Sequence, residues 1–117
     1  MIDYLEMVRE FHYKYDHHTQ NRPVWPPAAT IDLRDKLIRE EAGEFHSSYT
    51  MIQIADAIGD LLYVTFGAAL AYGIPIEEVF TEIHRSNMTK STEKNEFGKS
   101  IKGDYSPADI ESILDRY

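Results

Sequence analysis

The sequence predicts an all-α bundle of about five helices, and three observations carry that reading. Apolar residues recur at helical spacing, cap and stop residues divide the chain into five segments, and no segment shows convincing strand alternation. With 117 residues, and no internal repeat, low-complexity tract or interdomain linker, the chain reads as a single domain, 1–117.

The first helix is expected over about residues 3–15, where Leu5, Val8, Phe11 and His12 fall near helical spacing. Pro23, Pro26 and Pro27 then bar a helix interior between residues 16 and 29. Thr30 is the expected N-cap of a second helix reaching about Phe45, and Ser47 to Tyr49 make a short connection. The third helix has the clearest punctuation, with Thr50 and Gln53 as a capping box and Gly73 and Pro75 at its far end. Its interior, residues 51–72, is apolar on nearly every side, so it is expected at the centre. Pro75 suits the first turn of a fourth helix ending near Met88, with Ile76, Phe80 and Ile83 as its apolar stripe. Ser106, Pro107 and Asp109 read as the cap, first-turn proline and capping-box acid of a short last helix.

Composition narrows the function. No cysteine is present, which excludes disulfides, thiolate zinc sites and cysteine nucleophiles and suits a reducing cytoplasm. No secretory pattern opens the chain, and the longest uncharged stretch, residues 61–76, is shorter than the ~20 apolar residues of a membrane span. The formal net charge of −8 makes the chain a poor binder of nucleic-acid backbone. Yet residues 85–102 hold five basic side chains against two acidic ones, net +3, which leaves −11 on the rest. A basic loop on an acidic body points to a small anionic ligand with a metal between them.

The acids of the second and third helices are the sharpest signal. On a helical wheel starting from Leu33, Leu37 falls at about 40°, Ile38 at about 140° and Ile31 at about 160°. Glu40, Glu41 and Glu44 fall at about 340°, 80° and 20°, on the side of Leu33 and Leu37, while Asp35, Lys36 and Arg39 mark the solvated side. A glutamate-rich helix face is usually only solvated; here its orientation argues for the bundle. Asp56 and Asp60 are the only charges of the third helix and share one face. Buried carboxylates are normally paired or metal-bound, and too few cations face these. Salt bridges to a neighbouring Arg or Lys are the bland alternative. A hard, all-oxygen donor set favours Mg²⁺, with Mn²⁺ as a substitute, over Zn²⁺. On the fourth helix the apolar stripe continues to Asn87 and then Lys90, an amide and an ammonium suited to phosphate oxygens or, equally, a helix cap and an exposed lysine. His17 and His18 read as solvated loop residues, and Trp25 among its prolines as a packing anchor.

Taken together, Glu40-Glu41-Ala42-Gly43-Glu44, the run from Asp56 through Asp60 to Val64, and His84-Arg85-Ser86-Asn87-Met88-Thr89-Lys90 resemble the MazG-like all-α nucleoside triphosphate pyrophosphohydrolases. The tail from Phe97 through Tyr105, with Pro107 after it, looks like the end of the same family, and the chain is most similar to the phosphoribosyl-ATP pyrophosphohydrolase-like subgroup. The resemblance covers about residues 30–115, more loosely Phe11-His12 and the proline segment, and lies in the combination rather than in any one motif.

The resemblance implies Mg²⁺-dependent hydrolysis between the α and β phosphates, yielding a nucleoside monophosphate and pyrophosphate, in a homo-oligomer (dimer or tetramer) whose subunits complete one another's sites. Glu41 and Glu44 match the family's Glu-x-x-Glu metal ligands, Glu40 an additional acid, and Asp60 the closing Asp of the second acidic motif. Three residues before Asp60 the usual Glu is replaced by Ala57, and Asp56 is the available substitute. Glu40 or Glu41 is the expected general base. Asn87 and Lys90 match the nucleotide-contacting pair; Lys99 and Lys102 join the substrate site by charge placement, and Tyr105 by its place in the family-like tail. Two other functions fit the same residues: hydrolysis of phosphoribosyl-ATP in histidine synthesis, and a non-catalytic nucleotide-binding regulator.

Overall fold

A computed structural model describes residues 1–99 and 105–117. The described chain is helical, with five helices: α1 (Tyr4–Lys14), α2 (Ala28–His46), α3 (Met51–Tyr72), α4 (Ile76–Asn87) and α5 (Ile110–Leu114). They fall into two compact units, Met1–Ile74 and Pro75–Tyr117.

In the first unit, α1 and α2 both pack on α3. The Asp3 carboxylate caps α1 by accepting the Glu6 N–H at 3.0 Å, and Val8 and His12, one turn apart, turn inward and are buried. Asp16, at φ 57°, breaks α1 in the left-handed region that Asp tolerates better than most residues. The following segment runs along the end of α3. Gln20 and Val24 donate their backbone N–H groups to the Leu70 and Tyr72 carbonyls, and the Gln20 side chain donates to the Ala71 carbonyl. These bonds satisfy acceptors that the helix C-terminus leaves open.

α2 begins two residues earlier than its expected cap. Pro27, held at φ −56°, occupies the N-cap without a side-chain bond, and Thr30 lies inside the first turn. The prolines already fix an extended backbone up to the helix, so no polar cap is needed to end it. The Thr50–Gln53 capping box of α3 is present in both directions. Gly73 ends α3 at φ 70°, and a Cβ there would collide with the Arg22 carbonyl, so both conformation and space require glycine. α3 is long and apolar enough to cross a membrane by length and composition alone, but it carries two aspartates and two packed helices. Its cover is incomplete: Ile58 and Leu62 stay 46% and 54% exposed. Trp25, expected as a packing anchor, is 78% exposed and meets the Tyr72 ring edge-on at 5.7 Å.

In the second unit α4 packs on α5. The buried α4 positions are Val79 and Ser86, whereas Phe80, Ile83 and Asn87 of the expected stripe are exposed. A polar network fixes the side of α4 that α5 uses. Glu82 binds Arg85 at 2.7 Å and accepts the Asp109 N–H at 2.8 Å, while Arg85 donates to Ser106 and to the Pro107 carbonyl. These donors hold the Glu82 carboxyl down to about 2. Asp109, not Ser106, is the N-cap of α5 and accepts the Ser112 N–H at 3.1 Å, because Ser106 turns back to donate its N–H to Thr89 Oγ1.

Candidate metal centre

Three carboxylates meet across the α2–α3 seam. Glu41, Glu44 and Asp60 each offer an oxygen, and these atoms lie within 4.8 Å of one another. The local sequence explains the meeting. Glu41 and Glu44, three apart on α2, share a face, and the capping box starts α3 so that Asp60 rises opposite them. The inward direction of α2 is set by buried Arg34, with Leu37, Ile38 and Glu41 half-buried around it. This direction lies between Leu37 and Ile38, about 50–100° from the Leu33 side on the wheel, which carries Glu41 inward and leaves Glu40 exposed. Asp56 is exposed too, and neither it nor Glu40 belongs to the group of three. On the outer face Asp35 and Arg39 pair at 3.0 Å in solvent.

Asp56 has a different place. With Glu44, Ser47, Ser48, Gln53 and Ala57 it lines a cleft of about 230 Å³ beside the cluster. Ala57, standing where the resemblance implies glutamate, is 2% exposed. The serines escaped the sequence reading because they look like ordinary turn residues. Their hydroxyls do bond the Glu44 carbonyl, at 3.4 and 2.6 Å.

The electrostatics fit a cation. Glu41 Oε2 is buried without a hydrogen-bond partner. Desolvation, followed by the charges of Glu44 and Asp60, a hydrogen bond with Glu44 and the charge of Glu40, pushes the Glu41 carboxyl above its ordinary range. Among the described residues no Lys, Arg or His forms an ion pair with these three acids. An oxygen-only cluster of repelling carboxylates suits a hard divalent ion. The residues present therefore fit a metal.

The remaining sequence candidates lie in the second unit. Asn87 is exposed at the end of α4, and its carbonyl accepts the Lys90 N–H at 3.2 Å. Lys90 is half-buried, its Nζ 5.8 Å from the centre of the Tyr105 ring. Lys99 is exposed and closes a turn with Asn95, and Lys102 lies outside the described residues.

A family model for phosphoribosyl-ATP pyrophosphohydrolase matches residues 8–87, which span Glu40, Glu41, Glu44, Asp56 and Asp60 and end at Asn87. The chain belongs to the phosphoribosyl-ATP pyrophosphohydrolase family. It is thus a MazG-like all-α domain, in agreement with its five described helices. Membership in the phosphoribosyl-ATP pyrophosphohydrolase family supports a hydrolase of the pyrophosphohydrolase type, and such enzymes typically depend on a metal. No curated protein matches the sequence.

The sequence reading also missed a buried basic group. Arg34 is 5% exposed, His12 2% exposed, and His17, expected in solvent, is half-buried against Arg34. The available signal was the helical spacing of His12 with Leu5 and Val8.

Proposed function

We propose that the chain hydrolyses the α–β phosphate linkage of a (deoxy)nucleoside triphosphate with Mg²⁺, releasing a nucleoside monophosphate and pyrophosphate. The observation that carries this is the Glu41–Glu44–Asp60 cluster in a member of a pyrophosphohydrolase family. The cluster would hold the ion, with Mn²⁺ as a substitute and Asp56 reaching it from the cleft side. Bound Mg²⁺ supplies neutralisation of phosphate charge. Glu40 stands beside the cluster, exposed and outside it, so it is the residue free to take the proton from water as that water attacks the α phosphorus. Glu41, whose carboxyl is raised first by desolvation, serves as ligand and sets the charge of the group. Asn87 and Lys90, with Lys99, Lys102 and Tyr105, contact the substrate. The lysines offset the charge that builds on the departing pyrophosphate.

A second reading, phosphoribosyl-ATP as substrate, is favoured by the description of the matching family itself. Purified protein given Mg²⁺ and a panel of nucleoside triphosphates and phosphoribosyl-ATP should release pyrophosphate with the fastest substrate. Pyrophosphate from phosphoribosyl-ATP alone establishes the second reading. Silence across the panel, with nucleotide still bound, establishes a binding protein. The proposal includes a cytoplasmic homo-oligomer, since Ile58 and Leu62 of α3 need cover.

A further inference from the structure

We propose that Arg34, His12 and His17 form a proton-operated latch, which closes α1 and residues 16–20 onto α2 and α3 near neutral pH and releases them on acidification. Three elements and a loop converge here, and the charges that act on His12 are all basic. Arg9 is itself paired with Glu6 at 3.0 Å, Asp16 precedes His17 in solvent, and His18 Nε2 is buried nearby without a hydrogen-bond partner. α1 brings Arg9 and His12, the segment after it His17, and α2 Arg34; α3 brings Gly67, which has no side chain. A Cβ on Gly67 would stand 2.5 Å from Arg34 Nη1 and 3.0 Å from His12 Nε2, so the missing side chain makes the space for this group. Among the described residues Arg34 has no carboxylate partner, and its buried Nε has no hydrogen-bond partner.

The guanidinium is instead held by imidazole lone pairs. Arg34 Nη2 lies 3.0 Å from His17 Nδ1 and Nη1 lies 3.5 Å from His12 Nε2. Arginine only donates, so each of these ring nitrogens must be the unprotonated one. For His12 the proton then sits on Nδ1, which donates to the His18 carbonyl at 3.2 Å. Protonating either ring turns an acceptor into a donor facing a donor, and sets a second cation beside a buried one. The His17 N–H also binds the His12 carbonyl at 2.8 Å, and Gln20 follows on the Leu70 carbonyl, so loss of the His17 contact frees the segment that α3 holds. Burial, then Arg34, His17 and Arg9, hold His12 below its ordinary value of 6.5 against the opposing bond to His18. The released state therefore takes up the proton more readily, and acidification below about 6.5 favours release, down to the lowered value of the closed state.

Hydrogen exchange on the metal-free full chain tests this without reference to activity. Protection factors of the His17 and Gln20 amides should fall between pH 7.5 and 5.5, by up to about tenfold for one ring that titrates near 6.5 once released. Arg34→Met removes the hold on both rings, so the segment should exchange at the same rate at both pH values and lose the wild-type pH dependence. Should that variant fail to fold, His17→Asn, which keeps an acceptor that does not titrate, should retain the protection at pH 7.5 and lose less of it at pH 5.5 than wild type, with His12 left to take up the proton. Equal wild-type protection at the two pH values overturns the latch. So does a wild-type loss that the folded variant reproduces in full.

Discussion

Asp60 is the acid whose roles as ligand and as structural residue predict opposite outcomes. Asp60→Asn removes one of three mutually repelling charges and keeps the shape. The metal-free variant should melt at or above the wild-type temperature, while the Mg²⁺-dependent rise in melting temperature and the turnover disappear together. A structural salt-bridge acid would instead strand its cation and cost about 3–5 kcal/mol. Glu41 gives a companion test in pH. Its carboxyl is raised in the folded state from an ordinary 4.5. Its proton therefore stabilises the fold fully below the unfolded value, and that contribution is lost as pH rises through the folded value. In Arg34→Met protein, where the basic latch is absent, metal-free stability should rise on acidification toward about 4.5 and Mg²⁺ should flatten the rise, as denaturant titrations at successive pH values would record. In the second unit, Lys90→Ala should lower kcat/KM while changing stability by no more than about 1 kcal/mol, the worth of its contact with the Tyr105 ring. An unchanged kcat/KM leaves Lys90 as a surface lysine.

At the scale of elements, the ends of α3 set the register on which the cluster depends. Thr50→Ala removes one half of the capping box and should cost about 1 kcal/mol by urea titration. Gly67→Ala is the sharper probe of the α2–α3 seam. Its methyl group would press on Arg34 and His12, and the overpacking should cost about 1–3 kcal/mol, with the loss reduced when Arg34 is shortened. Equal losses in both backgrounds would mean that the seam yields elsewhere. The element boundaries show what spacing alone conveys. The cap chemistry of α3 was legible because Thr50, Gln53 and Gly73 act through local bonds. α2 started early because proline geometry needs no polar cap, and α5 started late because Ser106 is engaged by Thr89 from another part of the chain.

For the whole molecule, the proposed homo-oligomer would bury Ile58 and Leu62. Light scattering at micromolar concentration should give a dimer or tetramer, and Leu62→Glu should shift it toward monomer. A stable wild-type monomer would remove both the assembly and any site shared between subunits.

The sequence by itself determined the helices, because periodicity and caps are local, and the family, because Glu41, Glu44, Asp60 and Asn87 keep fixed spacings along it. Which acids meet was decided only by tertiary structure. The wheel placed Glu40, Glu41 and Glu44 on one arc, but the arc's centre depends on what α3 covers. It covers Arg34, a residue that composition assigns to solvent, and so Glu41 turns inward and Glu40 outward. The basic group around Arg34 was hidden for the same reason: it joins α1, a loop and α2 over a glycine of α3, and no single segment carries its pattern.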